Sequence, residues 1–279
     1  MSIWYAICDV IGGEFLSMNF MRNALLAVLI MAPLFGILST MIVTGKMSFF
    51  SDALGHSGFT GIAIGVLCGA VQPMYFAVGL AAVFALLFCF VRSRSSQSAD
   101  TIIGVFSSTS VALGLVLLSA TGNFARYQKY LIGDILSITP KEIALLVAVA
   151  VVTAILWIFL YNKMLLTNLH RTLAKSRGIP VFATEQVFAL LTALIVTTSI
   201  RWTGLLIINS LLVLPAAAAR FVTRNSRSYL LVAMVISLVS SILGLALSYY
   251  IGAAAGATIV LVNGAIFLVC LGIGTVGKR

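Results

Sequence analysis

Charge is what this sequence has least of. Only 9% of its 279 residues are Asp, Glu, Lys or Arg, seven of these are acidic, and there are two histidines. So small a stock of titratable groups excludes most catalytic constellations. His56 and His170 lie far apart, so there is no H-E-x-x-H, and no G-x-S-x-G elbow occurs either. Cysteine is sparse too: four residues, at 8, 68, 89 and 270, with no C-x-x-C spacing, support neither a disulfide framework nor a thiolate metal site and read as core thiols. A phosphate loop is missing. "TGKMS" at 44–48 lacks the spaced upstream glycine, the Ser/Thr directly after the lysine and the strand context. The chain therefore reads as no enzyme, and any ATP hydrolysis that drives it belongs to a separate chain.

What is present is apolar. Hydrophobic residues make up 61% of the chain and the mean hydropathy is +1.16, far above soluble domains. A bilayer core about 30 Å thick is crossed by about 20 helical residues, so length here counts spans. The expected fold is an all-α polytopic membrane protein with about eight to nine transmembrane helices. They are placed near 23–44, 49–70, 73–91, 102–121, 141–161, 186–200, 203–222, 228–250 and 253–276. Residues 186–200 are short for a crossing and either extend back into "PVFAT" or stay tilted and partial. The whole chain 1–279 reads as one transmembrane domain, with 1–21 an external or interfacial N-terminal segment. Its opening "MSIWYAICDVIGGEF" has neither the basic region nor the cleavage site of a removable signal, so the first span is expected to serve as an uncleaved insertion signal.

Basic residues set the orientation, because they prefer short cytoplasmic loops. Placing 162–185 inside puts Lys46, Arg92, Arg94, Lys163, Arg171, Lys175, Arg177, Arg220, Arg224, Arg227, Lys278 and Arg279 there, leaving Arg22, Arg126, Lys129, Lys141 and Arg201 outside. Nine spans then give an external N-terminus. The net charge of +10 follows from membrane topology, with the lipid bilayer as partner and no nucleic acid.

The longest polar segment, 162–186, holds Leu165, Leu166, Leu169 and Leu173 at near-helical spacing among basic and amide side chains. It predicts a short amphipathic helix stopped by Gly178-Ile179-Pro180. An interfacial helix and a docking element for a cytoplasmic partner both fit that pattern.

One apolar stretch breaks the rule that charges sit at the edges of spans. In "SFFSDALGHSGFTGIAIG", 48–65, Asp52 and His56 are four residues apart on one helical face, which Thr60 extends. Ionisable groups in spans are costly and usually face a bundle interior or a wet pathway. Asp52 either orients the His56 ring structurally, or lies with it close enough to the interface to be hydrated, or joins it as a metal-binding face, since carboxylate and imidazole together suit zinc and related ions. One helix gives two ligands, and a two-fold homodimer would give two more. Elsewhere, Asn209 and Ser210 in a late span read first as packing residues and second as pathway residues, Pro33 and Pro215 as bends, and Asp134 first as a cap or turn and second as a contact for an external partner protein.

Three blocks carry a family resemblance: "GKMSFFSDALGHSGFTGIAIG" (45–65), "YLIGDILSITPKEI" (130–143) and "WTGLLIINSLLVLPAAAARF" (202–221). They resemble the second helix, external loop and late helix of the permease subunits of zinc and manganese ABC importers. That resemblance implies a type II ABC importer permease in a bacterial cytoplasmic (inner) membrane, paired with a second permease copy. A cytoplasmic ATP-binding subunit and an external metal-binding protein would be its partners, with ATP on the partner and no permanently bound cofactor. The family's metal-passage aspartate and histidine match Asp52 and His56. "LHRTLAKSRGIPV" is similar to its coupling segment, which implies contact with the ATPase through Leu169, His170, Arg171, Lys175, Arg177 and Gly178. Zinc is favoured over manganese and ferrous iron, because the path holds a histidine, almost no sulfur and few carboxylates. A facilitative or proton-coupled carrier is the alternative, and an intramembrane enzyme a third.

Overall fold

The computed structural model describes residues 4–5, 8–9, 16–120 and 133–276. The expected external residues Arg126 and Lys129, the first residues of the 130–143 block, most of 1–21, and Lys278 and Arg279 lie outside the described residues. Among the described residues from 16 onward the α-helices are, in order, α1 (Asn19–Thr44), α2 (Phe50–Leu67), α3 (Met74–Arg94), α4 (Ala99–Ala120), α5 (Pro140–Leu169), α6 (Arg171–Ser176), α7 (Val181–Val222), α8 (Ser226–Ile251) and α9 (Ala255–Val276). A 3-10 turn, Ile135–Ser137, precedes α5. Among the described residues there is no strand.

The helices are where the apolar runs put them, and α7 is two of the expected spans joined. Gly204 sits inside it at φ 72°, ψ 163°, a region essentially closed to residues with a Cβ, so Val181–Ile200 and Ile207–Val222 are separate apolar segments. The first does begin in "PVFAT" and reaches 20 residues. The expected count needs correcting: among the described residues seven helices are long and apolar enough to cross a membrane. The two that fall short do so for different reasons. Phe50–Leu67 has the length, at 18 residues, but Asp52, His56, Thr60, two serines and four glycines dilute it. Ile207–Val222 is apolar but short.

Contacts divide the chain into two compact units, one of Met1–Thr40, Ile132–Val152 and Trp202–Arg279, the other of Met41–Leu131 and Thr153–Arg201. In the first, α8 and α9 form a hairpin turned by Gly252 in the left-handed conformation. A Cβ on Gly244 would lie 2.4 Å from the Ile259 Cα, so the two backbones touch as small-residue contacts allow in membranes. The Thr258 hydroxyl donates to the Gly244 carbonyl at 2.9 Å, and Ser237 donates to the Ala32 carbonyl of α1 at 2.6 Å. Gly133, at φ +70°, packs on the Gly204 break: a Cβ there would lie 2.1 Å from the Gly204 nitrogen. Next to it Asp134 caps the 3-10 turn by accepting from the Leu136 N–H, as the cap reading expects.

In the second unit α2 is the central helix. α3 and α4 pack along it, and Gly61 lets the α3 backbone approach so closely that a Cβ would meet the Phe76 carbonyl oxygen at 2.5 Å. Gly58 faces Thr197 of α7. Phe50 and Phe88 stack with ring centroids 4.8 Å apart. The end of α1 is held by side chains, with Asn168 donating to the Met41 carbonyl at 3.2 Å and Arg92 donating to the Met47 sulfur at 2.9 Å. All four cysteines are free, and Cys68, at the end of α2, is the exposed one.

Candidate metal path

α2 starts beside Phe49, which offers no side-chain cap. Asp52 falls in its first turn, where a carboxylate interacts favourably with the helix dipole. One turn on, His56 Nε2 lies 3.4 Å from Asp52 Oδ2, with 25% of the imidazole and 33% of the carboxylate side chain exposed. That separation exceeds the roughly 2.7–3.2 Å of a strong N–H···O bond, so the two groups are neighbours that a third atom can still engage. From Phe50 to Ala63 every other residue of the helix is buried. The packing of α3, α4 and α7 thus leaves one strip of α2 uncovered within this unit, and the acid and the imidazole occupy it.

Thr60 shares their heptad face but not their surroundings. It is fully buried, and its hydroxyl lies 3.1 Å from the His56 carbonyl and 2.5 Å from the Ser110 carbonyl of α4, tying two helices together. Asn209 is half-buried and engaged. The Ser210 hydroxyl is buried and finds no partner among the described residues. Both belong to the other unit; within its own unit the structure brings the Asp52 and His56 side chains together and turns the Thr60 hydroxyl to backbone carbonyls instead. Among the described residues no cluster of three or more His, Cys, Asp or Glu exists. Among the described residues, Asp52 and His56 are thus two side chains that could hold an ion, whereas zinc takes about four ligands.

The segment 162–186 departs from the single amphipathic helix expected of it. Leu165, Leu166 and Leu169 complete α5, whose 30 residues run well past the apolar span. His170, at φ −145° and ψ 88°, breaks the chain direction before the six-residue α6. Near-helical spacing of the leucines did not make one helix, because the break falls between Leu169 and Leu173. The stop is where Gly178-Ile179-Pro180 puts it, with Gly178 at φ +73°. Leu169 and Leu173 are exposed beside exposed His170, Arg171, Lys175 and Arg177, while Ala174 is fully buried underneath. Arg171 anchors the segment: its Nη2 lies 3.0 Å from Oε2 of Glu185, whose side chain is 7% exposed. Glu185 was not legible as a site residue, since a partner fourteen positions away on another helix leaves no periodic signal.

The sequence matches the ABC 3 transport family over residues 17–273. The chain belongs to the ABC 3 transport family. Curated relatives of this family member include the high-affinity zinc uptake system membrane protein ZnuB of Haemophilus influenzae, 30% identical over 89% of this chain and 95% of the relative. The manganese import system permease protein ScaB of Streptococcus gordonii is 26% identical over 90% of each chain. Among solved structures, PsaBC from Streptococcus pneumoniae, in complex with a Fab, shares the fold at a TM-score of 0.79 and 24% identity, covering 97% of this chain and 95% of that one. This ABC 3 family chain is thus a multi-pass membrane protein.

Proposed function

We propose that the chain is the permease subunit of an ATP-driven importer that moves divalent transition metal ions, zinc foremost, across a bacterial cytoplasmic membrane. The observation that carries this reading is the half-buried Asp52–His56 pair on a helix whose other residues from Phe50 to Ala63 are buried. A second copy of the chain related by a two-fold axis supplies the same pair again, completing about four ligands. An external metal-binding protein delivers the ion, and ATP-binding subunits dock against α6. Movement of α6 then rocks the paired permeases between outward and inward access. The site holds its ion weakly, because a transported ion has to leave as well as enter. Relatives named for zinc uptake and for manganese import support the metal class. Zinc is placed first because the pair combines one imidazole with one carboxylate, a set less suited to the oxygen-rich coordination of manganese.

Proteoliposomes containing the permease, its ATPase and its binding protein test this. Uptake of radiolabelled zinc is expected to require ATP and to resist an excess of manganese. Uptake that proceeds equally without ATP would overturn the importer reading, and preferential inhibition by manganese would overturn the order of the metals.

Coupling has its own test. Gly178 sits at φ +73°, whereas proline is locked near −65°, so Gly178→Pro has to redirect the chain between α6 and α7. Uptake is expected to fall to background with the spans still inserted, as it is on deletion of 169–177. Both are measured as transport and ATP hydrolysis per assembled complex, and normal uptake by either variant would remove the coupling role.

A further inference from the structure

A cavity of about 400 Å³ opens where the end of α3, α6 and the start of α7 meet, lined by Phe90, Ser93, Arg94, Arg171, Lys175 and Phe182 among others. Three of these are cations. Glu185 is paired with Arg171, which leaves the cavity an excess of two positive charges. The guanidinium of Arg94 lies 5.3 Å from the Phe90 ring centroid, a cation–π contact that holds it beside the aromatic. Phe90 and Phe182 are themselves exposed.

The position of this cluster decides what it fits. Val83, Leu86, Leu87 and Phe90 are exposed on α3 at i, i+3, i+4 and i+7, one continuous apolar stripe. The stripe runs along a membrane-spanning helix and ends in the cavity, with Arg94 one turn beyond. An apolar track leading to a pocket of cations and aromatics at the basic end of a span is the arrangement that suits a phospholipid, with acyl chain on the track and headgroup in the pocket. An acidic protein surface would make no use of the track.

We infer that this cavity binds the phosphodiester headgroup of one anionic phospholipid per chain. Arg94 contacts the phosphate with the paired N–H groups that match phosphate oxygens. The inference does not depend on the metal-import reading, because the permease without its partners is sufficient to test it. The full chain is placed in nanodiscs of mixed phosphatidylglycerol and phosphatidylcholine, extracted gently, and its retained lipids counted by native mass spectrometry. One phosphatidylglycerol is expected to be retained in preference to phosphatidylcholine. Arg94→Gln is expected to weaken retention about five-fold, the contribution of one basic residue near a membrane. Arg94→Lys, which keeps the charge but not the paired N–H groups, is expected to recover part of it, which separates loss of charge from loss of fold. Equal retention of the two lipids, or wild-type retention by Arg94→Gln, would overturn the inference. Displacement by soluble glycerol phosphate would show a site for free anions and overturn the lipid assignment. Loss of ATPase docking in Arg94→Gln with lipid selection unchanged would show a protein contact and overturn it as well.

Discussion

Asp52→Asn and His56→Ala are each expected to abolish zinc uptake per assembled complex while leaving assembly nearly intact. Asparagine keeps the shape of Asp52 and removes the anionic ligand, and alanine removes the imidazole nitrogen. Even partners one shell removed from a metal change affinity about 10–100-fold, so loss of a direct ligand in a site with two per chain is expected to cost at least that. Stability is expected to shift by no more than about 0.5 kcal/mol, because both side chains lie on the uncovered strip of α2 and the 3.4 Å contact between them is loose. Dimer yield, ATPase docking and uptake are measured on the same preparations. Poor assembly together with wild-type rates in the fraction that does assemble would mean that Asp52 only orients the His56 ring.

Gly133→Ala is expected to eliminate assembled protein. A Cβ there would come within 2.1 Å of the Gly204 nitrogen, 2.4 Å of the Thr203 carbonyl carbon and 2.6 Å of the Gly204 Cα. All three are backbone atoms, so no side chain can swing aside, and the cost is about 4 kcal/mol or more. Gly178→Ala is the control: φ is again positive, at +73°, but nothing lies within 4 Å of the new Cβ. Only the left-handed conformation is then penalised, by about 1–2 kcal/mol. Thermal unfolding of the purified proteins compares the two, and equal yield and stability would show that the Gly133–Gly204 contact can relax.

Spans were legible because a bilayer imposes length and apolarity on each helix separately, and such a signal is local. Val181–Ile200 shows this, with its predicted extension into "PVFAT" realised. The Asp52–His56 approach was legible for the same reason, since i and i+4 meet on any helix. The coupling segment was harder. Its leucines kept helical spacing across His170, and the backbone turned there all the same, because periodicity records which side chains are apolar and not where hydrogen bonding stops. The Gly204 break and the Arg171–Glu185 pair depend on segments distant in sequence, and a one-dimensional pattern holds no trace of such partners. The burial of Thr60 against Ser110 is a similar case: i+4 spacing put it on the His56 face, and the neighbouring helix covered it there.

α2 carries an acid, an imidazole and four glycines in 18 residues, so it is the described long helix least able to partition into lipid by itself. Its stability in the bilayer comes from company: α3 covers Gly61, α4 covers Thr60 and α7 covers Gly58. During synthesis this segment is therefore the one expected to gain least from release to lipid alone. Its full packing is expected only after α3 and α4 have been translated and the first half of α7, which starts more than a hundred residues after α2 ends, has arrived. The time this takes is set by translation, and the segment left waiting is the one that bears the two candidate ligands.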